Sequence, residues 1–290
     1  MPLCSNLWLN YGLKGDKTLR RARLITTLSI LLFLTNCAGL QRDHVQLDPL
    51  GCQKQTAPMP AAEQSQFSAL TDTHTLTCAL AGLRDNQDPA VRRTSLGSRL
   101  CLYLAERERN PEKREKLASE GVDFAEAAVA EGGGNDGEVH YYLAANLGLA
   151  VREHITVAVQ NLGRLEDEMK QAVALSPDID DGGPLRLLGA LYLKAPAWPN
   201  GVGDSDKALE LLKKAVVKHP GHPLNHLFYA QALWDEDEEA NLAQVKAEFA
   251  RGKKLLDEGN WGYSKQAWQK EFDEFQQELG DAGSISKAFE

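Results

Sequence analysis

The sequence predicts an all-α fold, a solenoid of helical hairpins with about four imperfect repeats and capping helices, and three observations carry that expectation. Residues 182–220, GGPLRLLGALYLKAPAWPNGVGDSDKALELLKKAVVKHP, read as one helix-turn-helix unit with a long loop between its helices. Neighbouring stretches repeat its order of small and apolar residues. Composition agrees: 43% of residues are hydrophobic, 25% charged and only 7% aromatic, an ordinary helical mixture. A length of 290 residues would allow one or two domains, but a solenoid grows by adding units and needs no second core. One repeat domain over residues 66–290 is therefore expected.

The N-terminal element is a targeting signal. Lys14, Lys17, Arg20, Arg21 and Arg23 precede an apolar run, Leu24 to Leu34, that is short for a membrane span, so residues 1–36 read as a signal peptide, with an uncleaved anchor as the alternative. Leu34-Thr35-Asn36-Cys37-Ala38-Gly39 then resembles a bacterial lipobox, which implies that Cys37 is acylated and begins the mature chain. Asn36 departs from the usual small residue before the cysteine, and the stretch ahead of Arg20 is long for a signal peptide. Ala38, rather than Asp, implies by the same resemblance the periplasmic face of the outer membrane. Residues 37–65 form the lipidated N-terminus and a linker, with Pro49, Pro58 and Pro60 and no helical periodicity.

The repeat domain follows in order. Phe67, Leu70, His74, Cys78 and Ala81 mark a leading helix, and Asp88-Pro89 opens the next. The first hairpin uses Gly97 and Leu100, then Ala118, Val122 and Ala125. The second, after Gly132-Gly133-Gly134, uses Leu147-Gly148 and Val151, then Leu165, Met169, Ala172 and Pro177. In the third, Leu188-Gly189 and Tyr192 precede Ala208, Leu212, Ala215 and Pro220, an order that resembles a tetratricopeptide unit with about seven residues inserted at 195–203. The fourth uses Tyr229-Ala230 and Leu233, then Ala243, Ala247 and Ala250. A terminal helix, Lys265 to Leu279, carries Trp268, Phe272 and Phe275 at helical spacing and caps the array.

Charge excludes some partners. The whole chain carries −9, and loss of residues 1–36 removes a net +4 and leaves −13, which argues against a nucleic-acid or polybasic lipid-binding role. The lipid anchor supplies the membrane contact instead. Of five cysteines, Cys4 lies in the signal and Cys37 is the lipidation site, so Cys52, Cys78 and Cys101 remain in an oxidising compartment. Cys78 and Cys101, on successive helices, are the candidate disulfide; buried free thiols are the alternative.

GGPLRLLGALYLKAPAWP, then VGD, then HPLNHLFYAQAL resembles the T-component (TatT) family of tripartite ATP-independent periplasmic (TRAP) transporters. The resemblance covers roughly Phe67 to Leu279, with its specific residues between Gly182 and Leu233. It implies a periplasmic lipoprotein with degenerate repeats that oligomerises, associates with the transporter's substrate-binding component and takes an apolar small ligand.

Counting along each first helix places Tyr142, Ala145, Leu149 and Arg152, then Arg186, Ala190 and Lys194, then Gln231 and Trp234 on one face toward the concave groove. With Asn225 and the loop residue Trp198, the polar and aromatic members of this set are the candidate ligand- or partner-binding residues. Two plainer roles compete: Arg186 pairing with Asp204 to brace the inserted loop, and Trp198 plugging it. His219, His222 and His226 are the best metal candidates, yet they lack a nearby carboxylate, so no metal or other cofactor is expected. No nucleophile, dinucleotide or metalloprotease motif is present, so a non-enzymatic role is expected. The alternative to a transporter accessory is an outer-membrane-anchored scaffold for envelope proteins.

Overall fold

The computed structural model describes Val45, Cys52 and residues 67–288, with side chains up to residue 280. The signal-peptide expectation and the lipidation site Cys37 lie outside the described residues. Among them are twelve α-helices and no strand: α1 (Thr73–Arg84), α2 (Pro89–Arg92), α3 (Leu96–Arg107), α4 (Pro111–Ala128), α5 (Gly137–Val151), α6 (Ile155–Gln160), α7 (Leu162–Leu175), α8 (Ile179–Lys194), α9 (Ser205–Lys218), α10 (Pro223–Glu236), α11 (Glu238–Glu258) and α12 (Lys265–Ala288). The hairpins are α3/α4, α5/α7, α8/α9 and α10/α11, and the closest packing runs within these pairs and between successive units.

Helix starts follow from capping chemistry. Asn110, Asp136, Asp204 and Asp237 each accept a backbone N–H of their helix's first turn, which leaves fewer orphan donors at α4, α5, α9 and α11. Pro111 and Pro223 stand in first turns where no donor is needed. Unit three begins differently. Asp180, Asp181 and Gly182 have φ of 52°, 51° and 82°, so the regular part of α8 starts only after Gly182, with Pro184 in its first turn. Two non-glycine residues in the left-handed region store strain that neighbouring contacts must offset.

The core is a seam of small residues facing larger ones. Ala118, Val122 and Ala125 on α4, Leu165, Met169 and Ala172 on α7, and Ala208, Leu212 and Ala215 on α9 are all buried. Gly97 sits so close to the Phe124 ring, and Gly189 to Leu212, that any side chain there would collide. Unit four departs from the expected register: Ala243, Ala247 and Ala250 are exposed, while Val245, Gly252 and Leu256 are buried. Gly252 permits the close approach, since a side chain there would run into the Pro223 carbonyl, His226 and the Phe272 ring. The leading helix is also rotated, since Leu76, Ala79, Leu80 and Leu83 face the core whereas His74 is exposed.

The disulfide is Cys52–Cys78, not Cys78–Cys101. Cys101 is a fully buried free thiol on α3 beneath α1, whereas Cys78 lies on a half-buried side of α1 that Cys52 can reach.

After α11 the chain returns to the start of the array. The turn Gly262–Ser264 packs on Ala69 and Leu70, Arg107 lies 4.0 Å over the Tyr263 ring, and Arg107 Nη2 donates to the Ala69 carbonyl at 3.0 Å. Helix α12 then buries Trp268, Phe272 and Phe275, with Trp268 5.0 Å from the His222 ring and Phe272 5.5 Å from Phe249. The first and last units are thus bridged.

Candidate functional site on the inner face

First helices α5, α8 and α10 carry the expected inner-face residues, with Arg152 just past the end of α5, and the structure divides them into three groups. Arg186 and Asn225 form an interlock between units three and four. Arg186 is 1% exposed, and its guanidinium donates to Asp180 Oδ2 at 2.7 Å, to the Asp180 and Asp181 carbonyls at 3.2 and 3.3 Å, and to Asn225 Oδ1 at 2.8 Å. Asn225 donates back to the Asp181 and His219 carbonyls at 3.0 and 2.9 Å. Arg186 therefore holds the left-handed turn at Asp180–Gly182. It does not pair with Asp204, which caps α9 and binds Lys207 at 2.8 Å. Both residues are structural ties rather than accessible contacts.

The second group is a polar centre. Tyr142 is buried, its hydroxyl 3.5 Å from that of Tyr103, and Tyr141 donates to Asp180 Oδ2 at 3.1 Å. Burial, seconded by the negative charge of Asp180, pushes the Tyr103 phenol up to about 12; burial likewise raises that of Tyr142. Glu106, which the sequence reading missed, belongs here. The residue is half-buried, but its Oε1 is closed off from solvent without a hydrogen bond among the described residues. Burial, reinforced by Asp180, lifts its carboxyl to about 7 against the partial opposition of Arg107 and Arg186.

The third group lies at the C-terminal ends of the first helices. Arg152 shares Glu153 with Arg114, at 3.1 and 2.6 Å, leaving one excess positive charge. Burial and then Arg114 lower its value. Lys194 makes no hydrogen bond or ion pair among the described residues, and burial lowers its ammonium against the pull of Glu278, Asp235 and Glu271. Glu271, itself buried on α12, acts on Arg152 as well. Helix α12 thus does more than cap: it brings carboxylates to the cationic ends of units two and three. Trp234 is buried, and Gln231 Oε1 is closed off without a hydrogen bond among the described residues.

Trp198 does not plug the inserted loop, being 85% exposed. The loop closes through its own backbone, Gly203 N–H donating to the Pro196 carbonyl at 2.8 Å and Asp204 N–H to that of Tyr192 at 3.0 Å. A cavity of about 460 Å³ lies at the other end of the array, lined by Leu83, Arg84, Val91, Arg92 and Phe124.

The three histidines do not converge. His219 pairs with Asp178, His222 accepts from Leu224 N–H as the cap of α10, and His226 faces Glu248 at 2.6 Å and the Pro220 carbonyl at 2.8 Å. Among the described residues, Cys52, His74 and Cys78 cluster with metal-ligand spacing, but the two sulfurs are joined to each other.

No family model matches the chain, and no curated protein matches it.

Proposed function

We propose that the chain is a lipid-anchored accessory protein of a bacterial envelope, the T-component of a tripartite ATP-independent periplasmic transporter. In this reading it sits at the periplasmic face of the outer membrane through acylated Cys37, and it assembles as an oligomer with the substrate-binding component. It takes an apolar or amphipathic small ligand on its inner face. The observation that carries the reading is the chemistry of that face: it gathers the buried rings of Tyr103, Tyr142 and Trp234, while Glu106 Oε1 and the Lys194 ammonium are left without hydrogen-bond partners among the described residues. An apolar lining with a few convergent polar groups is what a small-molecule site needs. The lipobox at residues 34–39 and the resemblance between Gly182 and Leu233 support the transporter assignment. Arg186 and Asn225 drop out of the binding set because their donors and acceptors are consumed internally. No catalytic, metal or nucleic-acid role is proposed.

Native mass spectrometry with lipid extraction on protein purified from a bacterial envelope tests this. An oligomer that retains an apolar small molecule is the expected result. An empty monomer that still captures envelope proteins would replace it with the scaffold reading.

A further inference from the structure

Residues 37–65 read in the sequence as a linker, and a free chain from Cys37 to Phe67 could extend to about 100 Å. Two fasteners remove most of that reach. Cys52 is covalently joined to Cys78 in the middle of α1. Seven residues earlier, the Val45 carbonyl accepts from Arg84 Nη2 at 2.9 Å at the end of the same helix, and the Val45 side chain packs on the core. Arg84 is a rigid anchor, since its Nε and Nη2 donate to both oxygens of buried Glu120 at 2.7 Å. With Cys52 held covalently, the Val45–Arg84 contact forms within one chain at high effective concentration. Val45 and Cys52 are thus fastened at two points of α1, one at its C-terminal end and one at its middle.

We propose that the α1–α2 edge of the repeat domain faces the membrane and is held within about 28 Å of it by the short stretch between Cys37 and Val45. This rests on the lipid-anchor reading of Cys37. From Cys37 to Val45 the chain reaches at most about 28 Å, and to Cys52 about 50 Å, even when fully extended. The tether enters beside Arg84, so the side facing the bilayer carries the exposed Gln87, Arg92 and Arg93. Arg92 pairs with Glu131 at 3.2 Å, while Arg93 makes a bond to the Pro89 carbonyl and no ion pair among the described residues. The mature chain's net charge of −13 opposes approach to anionic lipid, so the short tether sets the distance and attraction between charges does not.

The experiment is neutron reflectometry of the full-length lipidated protein on phosphatidylcholine bilayers. It compares the native chain with Cys52→Ser and with an insertion of twenty Gly/Ser residues between Ala38 and Gln41; circular dichroism checks that each keeps its helices. Under the native protein the water layer should be no more than about 28 Å. The insertion should widen it by up to about 25 Å, and Cys52→Ser should broaden the height distribution outward. A water gap beyond about 28 Å under the native protein, or no change on insertion, overturns the proposal. Cys37→Ser tests the anchor separately: release from the bilayer supports the lipid reading, whereas retention refutes it.

Discussion

Units two and four fasten the start of their first helices in one way, and unit three does so in another. In unit two His140 faces Glu168 of α7 at 2.7 Å and the Gly134 carbonyl, six residues back, at 2.9 Å. In unit four His226 repeats this with Glu248 of α11 and the Pro220 carbonyl, again six residues back. These clamps close each hairpin on itself. Unit three has Leu187 where the other two have histidine, counting from Gly137, Pro184 and Pro223, and its neighbour Arg186 does the fastening. A guanidinium has five donors in a planar fork, so it can hold the strained turn behind it and still reach Asn225 of the next unit. Histidine secures one unit; arginine couples two.

Arg186→Ala should produce the largest loss, about 3–5 kcal/mol, because it strands buried polar groups on both sides of the junction. Urea unfolding measures it, and a loss below about 1 kcal/mol would remove the distinction between coupling and clamping. Cys52→Ser opens a loop with a sequence separation of 26, and its stability should fall by about 3 kcal/mol, as should that of the native chain in dithiothreitol. His226→Ala should cost about 2 kcal/mol in the same assay and His140→Ala somewhat less, since the His226 side chain is fully buried and that of His140 is 11% exposed. Equal losses would mean that burial does not grade the two clamps.

A smaller effect is a pH slope. Glu106 stands near 7 in the fold against 4.5 for an unperturbed glutamate. Between those values the folded chain holds a proton that the unfolded chain has released, so stability declines as pH rises from about 4.5 to about 7 and is level outside that window. Half-burial of the residue limits the change to about 1–2 kcal/mol. Glu106→Gln should flatten the slope in melts taken at successive pH values; a slope that persists would assign it to another group. The smallest effect belongs to Trp198→Ala, which should shift stability by less than about 0.5 kcal/mol because the indole is exposed. A larger loss would show that the loop depends on the ring after all.

Much of the fold was legible because small residues recur wherever two helices approach closely. Ala118/Val122/Ala125 and Ala208/Leu212/Ala215 gave the right faces. The same rule failed at Ala243/Ala247/Ala250, since alanine is equally at home on an exposed helix surface, and the real contact used Gly252. The disulfide was misread because helix order does not say which side of α1 a cysteine occupies. Counting assigned residues to one face of the first helices, but counting cannot tell whether a polar head points to solvent or is spent internally. Arg186 and Asn225 were spent, and Glu106, within the charged run of residues 106–109, gave no signal that its carboxyl would be enclosed.

Cys101 gives the molecule a built-in reporter. Burial and then Glu120 push its thiol well above the ordinary range, and the core keeps it away from reagents. It cannot exchange with the Cys52–Cys78 bridge unless α1 lifts off the first hairpin, so the three described cysteines, which could pair in three ways, keep a single pairing. Its rate of alkylation is then a clock for the opening of that hairpin, read without introducing any label.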